Sequence, residues 1–175
     1  MDTYEAIDTV LAVRAFKSDA VPDDVVRKIV EAGHRSASAG NKQPWHFVVV
    51  RDRDTLTKIG SLAKTGPYIA QAALAIAVAI DDGQIPVSDA SRAIQSMILT
   101  AWNEGVGSNW VGFGDQTPGM SDIAELLGLP DERKLLAVIP FGYPAKSTKA
   151  GKKNRKPLEE VVSAERYGRP FKASG

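Results

Sequence analysis

The polar loop from Ser36 to Pro44 is the stretch of the sequence best equipped to bind a small molecule. Ser38, Asn41 and Gln43 supply short hydroxyl and amide groups, and the small residues between them let the backbone approach a flat ligand. A heterocycle with carbonyl groups and ring nitrogens would suit such a set. An ordinary polar connection explains the same composition, because most loops of this kind only join two elements.

A run of positive charges near the C-terminus is the second candidate for binding. Between residues 146 and 156 the sequence has no acid and six cations, namely Lys146, Lys149, Lys152, Lys153, Arg155 and Lys156. Such a run can hold a phosphate, since an arginine chelates two oxygens and lysines act as point charges. A nucleic-acid patch is less favoured because no aromatic residue interrupts the run. A solvated loop is the ordinary explanation of a charge run.

Composition excludes several kinds of chemistry. The chain has no cysteine, which removes disulfides, thiolate nucleophiles and cysteine-ligated metals. Its two histidines, His34 and His46, are too few for a histidine-rich metal site, and we interpret both as structural. The glycine-rich stretch from Gly105 to Gly114 has Trp110 where a dinucleotide fingerprint needs a glycine, so a Rossmann site is rejected.

The overall charge and the N-terminal residues restrict the expected partners and location. With 22 basic and 21 acidic residues the net charge is +1, which gives no general attraction to nucleic acid or to an anionic membrane. The first residues lack the basic and apolar regions of a secretory signal. The longest apolar run, Ala72–Ile80, is shorter than the ~20 residues of a membrane span. We therefore expect a cytoplasmic protein with neither a nucleic-acid nor a membrane partner.

Hydrophobic periodicity predicts the elements that must hold these residues. It predicts helices over 3–12, from Pro22 to Arg35, through Leu62 with Asp54 as the N-terminal cap, over 87–104 and from Met120 to Leu127, with a helical turn after Pro157. It predicts strands over 45–50, 72–80, 109–113 and 135–141. The alanine content of 72–80 leaves a helix as the alternative, and Pro140 indicates an edge strand or a strand end. A single layered α+β domain over residues 1–175 is expected.

Four segments occur in an order that is typical of one known family. They are Arg14-Ala-Phe, Ser38-Ala-Gly-Asn-Lys-Gln-Pro-Trp-His-Phe, Ala93 to Gly112, and Ile139 to Val162. With them the sequence resembles the nitroreductase family of flavin-dependent oxidoreductases over nearly its whole length. The resemblance implies an α+β nitroreductase-like fold with a central mixed, mainly antiparallel sheet flanked by helices. It also implies an intertwined homodimer, in which a C-terminal extension of about residues 145–175 reaches to the partner subunit.

The resemblance further implies which residues hold flavin mononucleotide (FMN) in the subunit interface. Arg14 would approach the pyrimidine edge of the flavin or its ribityl chain, and Gly112 would bring backbone close to the ring. Ser38 and Asn41 would line the flavin, often from the other subunit, and Gln43 belongs to the same loop.

The phosphate end of the implied site departs from the family pattern. Lys153 and Arg155 would hold the phosphate, but the segment Val10-Leu11-Ala12 stands where the family commonly has Arg-Arg-Ser or Arg-His-Ser. Loss of one charge-assisted hydrogen bond costs roughly 1.5–3 kcal/mol, or about 10- to 150-fold in affinity. Three interpretations stay open: the basic run compensates, FMN binds weakly, or another cofactor such as a deazaflavin takes its place.

The activity that the resemblance implies is transfer of electrons from NAD(P)H through FMN to nitroaromatic, quinone or similar acceptors. The cofactor would carry the redox chemistry, so no catalytic residue is assigned and no metal is expected. Arg14 is the candidate for tuning the flavin, because a cation favours negative charge on the pyrimidine ring. Two alternatives remain: a specialised flavin or deazaflavin enzyme that acts on one metabolite, and a flavin-binding protein without turnover.

Overall fold

A four-stranded antiparallel sheet forms the centre of the protein, seen here in a computed structural model that describes residues 1–146 and 153–171. Its strands are β1 (Trp45–Val50), β2 (Leu74–Ile80), β3 (Gly107–Ser108) and β4 (Lys134–Gly142). They lie in the order β1-β2-β4-β3, and each neighbouring pair is antiparallel. A parallel bridge joins Ala12 to Ser108 and adds the segment after the first helix to β3. The sheet is therefore mainly antiparallel, as the resemblance implies.

Helices cover the sheet and begin close to their predicted positions. They are α1 (Thr3–Thr9), α2 (Asp23–His34), α3 (Arg53–Leu62), α4 (Gln84–Asn103), α5 (Met120–Leu126) and α6 (Leu158–Val161), with 3₁₀ turns at Ala39–Asn41 and Pro67–Gln71. The helix α2 starts directly after Pro22, and the two acids of its first turn complement the helix dipole. Among the described residues, no helix is both long enough and apolar enough to span a bilayer.

The strand β2 lies between two layers of helices. Leu74, Ile76 and Val78 belong to the core that α2 and α4 form on one face of the sheet. Ala75 and Ala77 belong to the core that α3 and α5 form on the other face. Every residue of β2 is buried, which is why its sequence is apolar at each position instead of alternating. The strand prediction is confirmed over the helical alternative.

The predicted strand over residues 109–113 is wrong, and Pro140 explains why. β3 ends at Ser108, and Val111 then forms an isolated bridge with Val138 through hydrogen bonds of 3.1 and 2.9 Å. In that register Pro140 stands opposite Asn109. An antiparallel ladder would need an N–H of β4 at this position to donate to the carbonyl of Asn109. Because proline has no N–H, the ladder is interrupted. The proline lies near the end of β4, an inner strand, and not on an edge strand.

Asp52, and not the predicted Asp54, caps the start of α3. Its carboxylate accepts hydrogen bonds from the hydroxyl and the backbone N–H of Thr55, at 2.6 and 2.8 Å. The hydroxyl bond is the larger influence, and together the two bonds hold the pKa of Asp52 below its ordinary value of 3.8. Asp54 is instead an acid in the first turn.

Replacing Asp52 with alanine should lower the melting temperature at pH 7, whereas Asp54→Ala should change it little. A carboxyl with a lowered folded-state pKa stabilises the fold above its unfolded value near 3.8, and that stabilisation is lost as the pH falls through the folded pKa. The difference between wild type and Asp52→Ala should therefore shrink in thermal melts at pH 3. Equal effects of the two substitutions at pH 7 would contradict the assignment of the cap.

Candidate functional site

The loop before β1 is held in an unusual backbone conformation. Gly40, Asn41 and Gln43 have positive φ angles of 57°, 53° and 49°. Only glycine adopts this region without strain, so Asn41 and Gln43 are retained there by their surroundings. Ser38 Oγ accepts a hydrogen bond of 2.9 Å from Gln43 N, and Gln43 Nε2 donates to Asn41 O at 3.3 Å. The structure thus brings the three predicted residues of this loop together.

A buried carboxylate on α4 ties this loop to the core. Asp89 is 1% exposed, and its Oδ2 accepts a hydrogen bond of 3.0 Å from Ala39 N. Sequence reasoning did not select Asp89. The available signal was its position one turn before Ala93, on the apolar face of the predicted helix, where an acid is unexpected.

Arg14 lies in a segment that is fastened to the sheet on both sides. Val13 N donates to Ser108 O at 2.9 Å, and Ala145 N donates to Ala15 O at 2.9 Å. The side chains of Val13 and Phe16 are buried, whereas Arg14 between them is exposed. The backbone is therefore held while the guanidinium remains accessible to a ligand.

Gly112 follows the isolated bridge between Val111 and Val138. Its φ is 85°, and a Cβ added there would lie 2.4 Å from Met120 Sδ. The carbonyl of Gly112 accepts a hydrogen bond of 2.5 Å from Trp110 Nε1. No other residue type fits this position without moving Met120, so packing against Met120 accounts for the glycine. The close approach of this backbone to a flavin, which the resemblance implies, stays a prediction.

Lys153 contacts the N-terminal part of the same chain. Its Nζ donates a hydrogen bond to the carbonyl of Ile7 in α1, and α1 leads directly into the segment Val10-Leu11-Ala12. The structure therefore places a cation on the helix that leads into the segment in which the family arginine is missing.

The remaining cations of the basic run are less well connected. Arg155 is exposed, and its NH1 donates to the neighbouring Asn154 O at 3.1 Å. Lys146 and Lys156 are exposed. Lys149 and Lys152 lie outside the described residues. Among the described residues, Lys153 is the one predicted phosphate ligand whose side chain contacts a distant part of the chain.

Two groups of predicted site residues lie at opposite corners of the sheet, and Gly112 lies between them along its length, next to the bridge of Val111 with Val138. Pro44 O, at the end of the loop, accepts a hydrogen bond from Asp81 N at 3.1 Å, which places the loop where β2 ends. Lys17 N, after Arg14, donates to Tyr143 O at 2.8 Å, which places Arg14 where β4 ends and β2 begins. The length of β2 separates these ends by about 20 Å, and β1 and β3 are the two outer strands. Within one chain, a single flavin ring would not reach both groups.

The comparisons with known proteins agree with this architecture. The sequence model of the nitroreductase family matches residues 11–83 and 64–143. A protein of Methanothermobacter thermautotrophicus, provisionally named NADH dehydrogenase/NAD(P)H nitroreductase, is 36% identical over 152 residues, which cover 84% of this chain and 80% of the relative. A solved structure from Bacteroides thetaiotaomicron with the same provisional name superposes with a TM-score of 0.86 at 28% identity, covering 94% of this chain and 97% of that one.

A second solved structure supports the fold alone, because its sequence is more distant. It is an FMN-dependent nitroreductase of Clostridium difficile, with a TM-score of 0.84 and 22% identity, covering 94% of this chain and 100% of that one. With the match of the family sequence model and the close relative, these likenesses show that the chain belongs to the nitroreductase family.

Proposed function

We propose that the protein is an FMN-dependent oxidoreductase that takes electrons from NAD(P)H and passes them to nitroaromatic, quinone or similar small-molecule acceptors. The observation that carries the proposal is the position of Lys153 beside α1, which joins a cation of the C-terminal run to the segment that leads to Arg14. Family membership and the nicotinamide- and FMN-linked names of the relatives support the same function. A cytoplasmic location is part of the proposal.

The residues present suit FMN chemically. Lys153 and Arg155 offer positive charge to a phosphate, and the exposed Arg14 offers hydrogen-bond donors to the carbonyl-rich edge of a flavin ring. The half-buried Gly112 is the backbone position that the family resemblance brings close to the flavin ring. When bound, FMN would supply the hydride and electron transfer. The protein would bind and orient the cofactor, and Arg14 would favour negative charge on its pyrimidine ring.

A homodimer completes the site in this proposal. The loop of Ser38, Asn41 and Gln43 lies at the corner of the sheet opposite to Arg14, so a second copy of the chain must supply it to the same flavin.

The C-terminal segment fits the same assembly. It exposes large apolar side chains, with Leu158 and Val161 each 62% exposed, Phe171 47% exposed and Tyr167 fully exposed. Four exposed large apolar side chains within one short segment are typical of a surface that another chain covers. We therefore propose that the extension from about residue 145 onward packs on the partner subunit.

The segment Val10-Leu11-Ala12, which lacks the family's arginine and serine, favours a second candidate function. Val10 and Leu11 are half-buried apolar residues, and Ala12 offers backbone pairing to Ser108 but no polar side chain. With these residues in place of the family arginine and serine, a deazaflavin enzyme acting on one metabolite, or a flavin-binding protein without turnover, is the alternative.

The absorption spectrum of the purified protein separates these functions. We expect a yellow protein, or a colourless one that becomes yellow on addition of FMN, and we expect NADH or NADPH to bleach it without oxygen. Addition of a quinone or a nitroaromatic compound should then restore the colour. A protein that stays colourless with FMN would refute the proposed function. A yellow protein that neither nicotinamide reduces would favour the flavin-binding protein or the specialised enzyme.

A further inference from the structure

Asp89 is a buried carboxylate that the proposed chemistry does not use. It lies in the first half of α4, one turn before the buried Ala93. Within the described residues the buried polar side chains are those of Asp89 and Ser108, and Asp89 is 1% exposed. A buried carboxylate is unfavourable unless its oxygens are bonded or paired, so its presence requires a reason beyond packing.

The two oxygens of Asp89 have different partners. Oδ2 accepts the hydrogen bond from Ala39 N, inside the loop, at 3.0 Å. Oδ1 pairs with Arg92, whose side chain is 55% exposed and lies one turn further along α4. The carboxylate therefore faces the loop with one oxygen, while a solvent-facing cation balances its charge on the other. A residue that served only the stability of α4 would have no need of the loop contact.

Asp89 is bonded to the loop at the residue that precedes its positive-φ turn. Ala39 is followed by Gly40 and Asn41, both with positive φ. Asn41 in this region costs free energy that the surroundings must offset. A charge-assisted bond at the first residue of the turn supplies such an offset and restricts the loop to the conformation observed.

We propose that Asp89 is a positioning residue for the flavin-binding loop, and that in the dimer it acts on the flavin whose phosphate the partner subunit holds. The inference rests on the proposed function. Without the bond to Ala39, the loop would spend part of its time in other conformations. The apparent dissociation constant of the flavin would then rise in inverse proportion to the fraction of loops that remain competent.

Three variants test this inference in the full-length protein. Asp89→Ala removes the acceptor, whereas Asp89→Asn keeps an oxygen that can accept from Ala39 N. Ser96→Ala is the matched control, because Ser96 Oγ on the same helix accepts a bond of 2.9 Å from Ser36 Oγ, at the first residue of the loop and before its positive-φ turn. The measurements are FMN binding by fluorescence quenching, the absorption spectrum of bound FMN, and hydrogen exchange of the loop amides without flavin.

Asp89→Ala should raise the FMN dissociation constant about 10- to 100-fold, which corresponds to a competent fraction of roughly 1–10%. It should also shift the spectrum of bound FMN and speed exchange of the loop amides. Asp89→Asn should restore most of the affinity, and Ser96→Ala should leave both affinity and spectrum unchanged. Simple destabilisation of α4 would move the melting temperature of all three variants without the rescue by asparagine.

A fourth variant, Ala39→Pro, removes the same hydrogen bond from the loop side, in case Asp89→Ala does not fold. Ala39→Pro deletes the N–H donor, and Ser38 before it already has the extended φ and ψ of −135° and 154° that a following proline requires. It should weaken FMN binding as Asp89→Ala does, and the two changes together should weaken it no further.

The outcomes separate this inference from the proposed function. A wild type that binds no FMN would refute the proposed function, and the flavin role of Asp89 with it. A wild type that binds FMN, together with Asp89→Ala and Ala39→Pro proteins that bind it equally well, would overturn only the role of Asp89.

Discussion

Replacing Lys153 and Arg155 together with alanine should weaken FMN binding by about 10²- to 10⁴-fold. Each residue would give up a charge-assisted bond to phosphate worth roughly 1.5–3 kcal/mol, and the two losses add to that range. The expected effect is large because Val10 stands where the family usually supplies a further arginine. Lys153 already lies beside α1, so its ammonium would need only to exchange the Ile7 carbonyl for a phosphate oxygen.

Riboflavin, which lacks the phosphate, makes this experiment specific. Wild type should bind FMN much more tightly than riboflavin, and the double variant should bind the two ligands equally, as measured by fluorescence quenching. Lys156→Ala, which removes an exposed cation of the same segment, is the matched control. Val10→Arg added to the double variant should recover part of the preference for FMN. If wild type showed no preference for FMN over riboflavin, the phosphate assignment would be wrong.

Much of the fold could be predicted from the sequence, because its main elements are encoded locally. The apolar run of β2 and the helical period of α4 are properties of adjacent residues, and both were predicted within a few residues of their ends. The short strand β3 could not be predicted in the same way. Its ladder is interrupted by Pro140, which is remote in sequence and becomes its neighbour only through the order of the strands.

The same contrast between local and long-range information applies to the candidate site. The candidate residues of the loop follow from composition, and the role of Gly112 follows from the family resemblance. The structure holds the loop residues in one hydrogen-bonded turn. Asp89 was missed because its contact with Ala39 joins positions fifty residues apart. Local sequence likewise does not reveal that Arg14 and Asn41 lie at opposite corners of the sheet, since that separation depends on strand order and direction.

Because Arg14 and the loop lie far apart in one chain, two inactive variants should complement each other in a mixed dimer. Arg14→Glu should abolish flavin binding from one corner, and the double variant Ser38→Ala/Asn41→Ala should weaken it strongly from the other. Each variant alone would form dimers in which both sites are damaged. When the two are mixed in equal amounts, dissociated and reassembled, activity should return.

The amount of recovery follows from the symmetry of the dimer. Random reassembly makes half of the dimers mixed, and each mixed dimer has one site in which an intact Arg14 faces an intact loop. About a quarter of all sites should therefore regain FMN and NAD(P)H-dependent reduction of a quinone, relative to wild type. Differently tagged subunits, purified as mixed dimers, would give half of the sites.

The result discriminates between two arrangements of the same residues. If each flavin contacts the Arg14 and the loop of a single chain, every site in a mixed dimer carries one damaged group, and no activity returns. If the loop of each chain binds the flavin of its partner, both altered groups of a mixed dimer lie in one site, and the other site is intact. Absence of recovery from purified mixed dimers would therefore refute the shared site. Recovery would show that the separation of about 20 Å within one chain is bridged by the second copy.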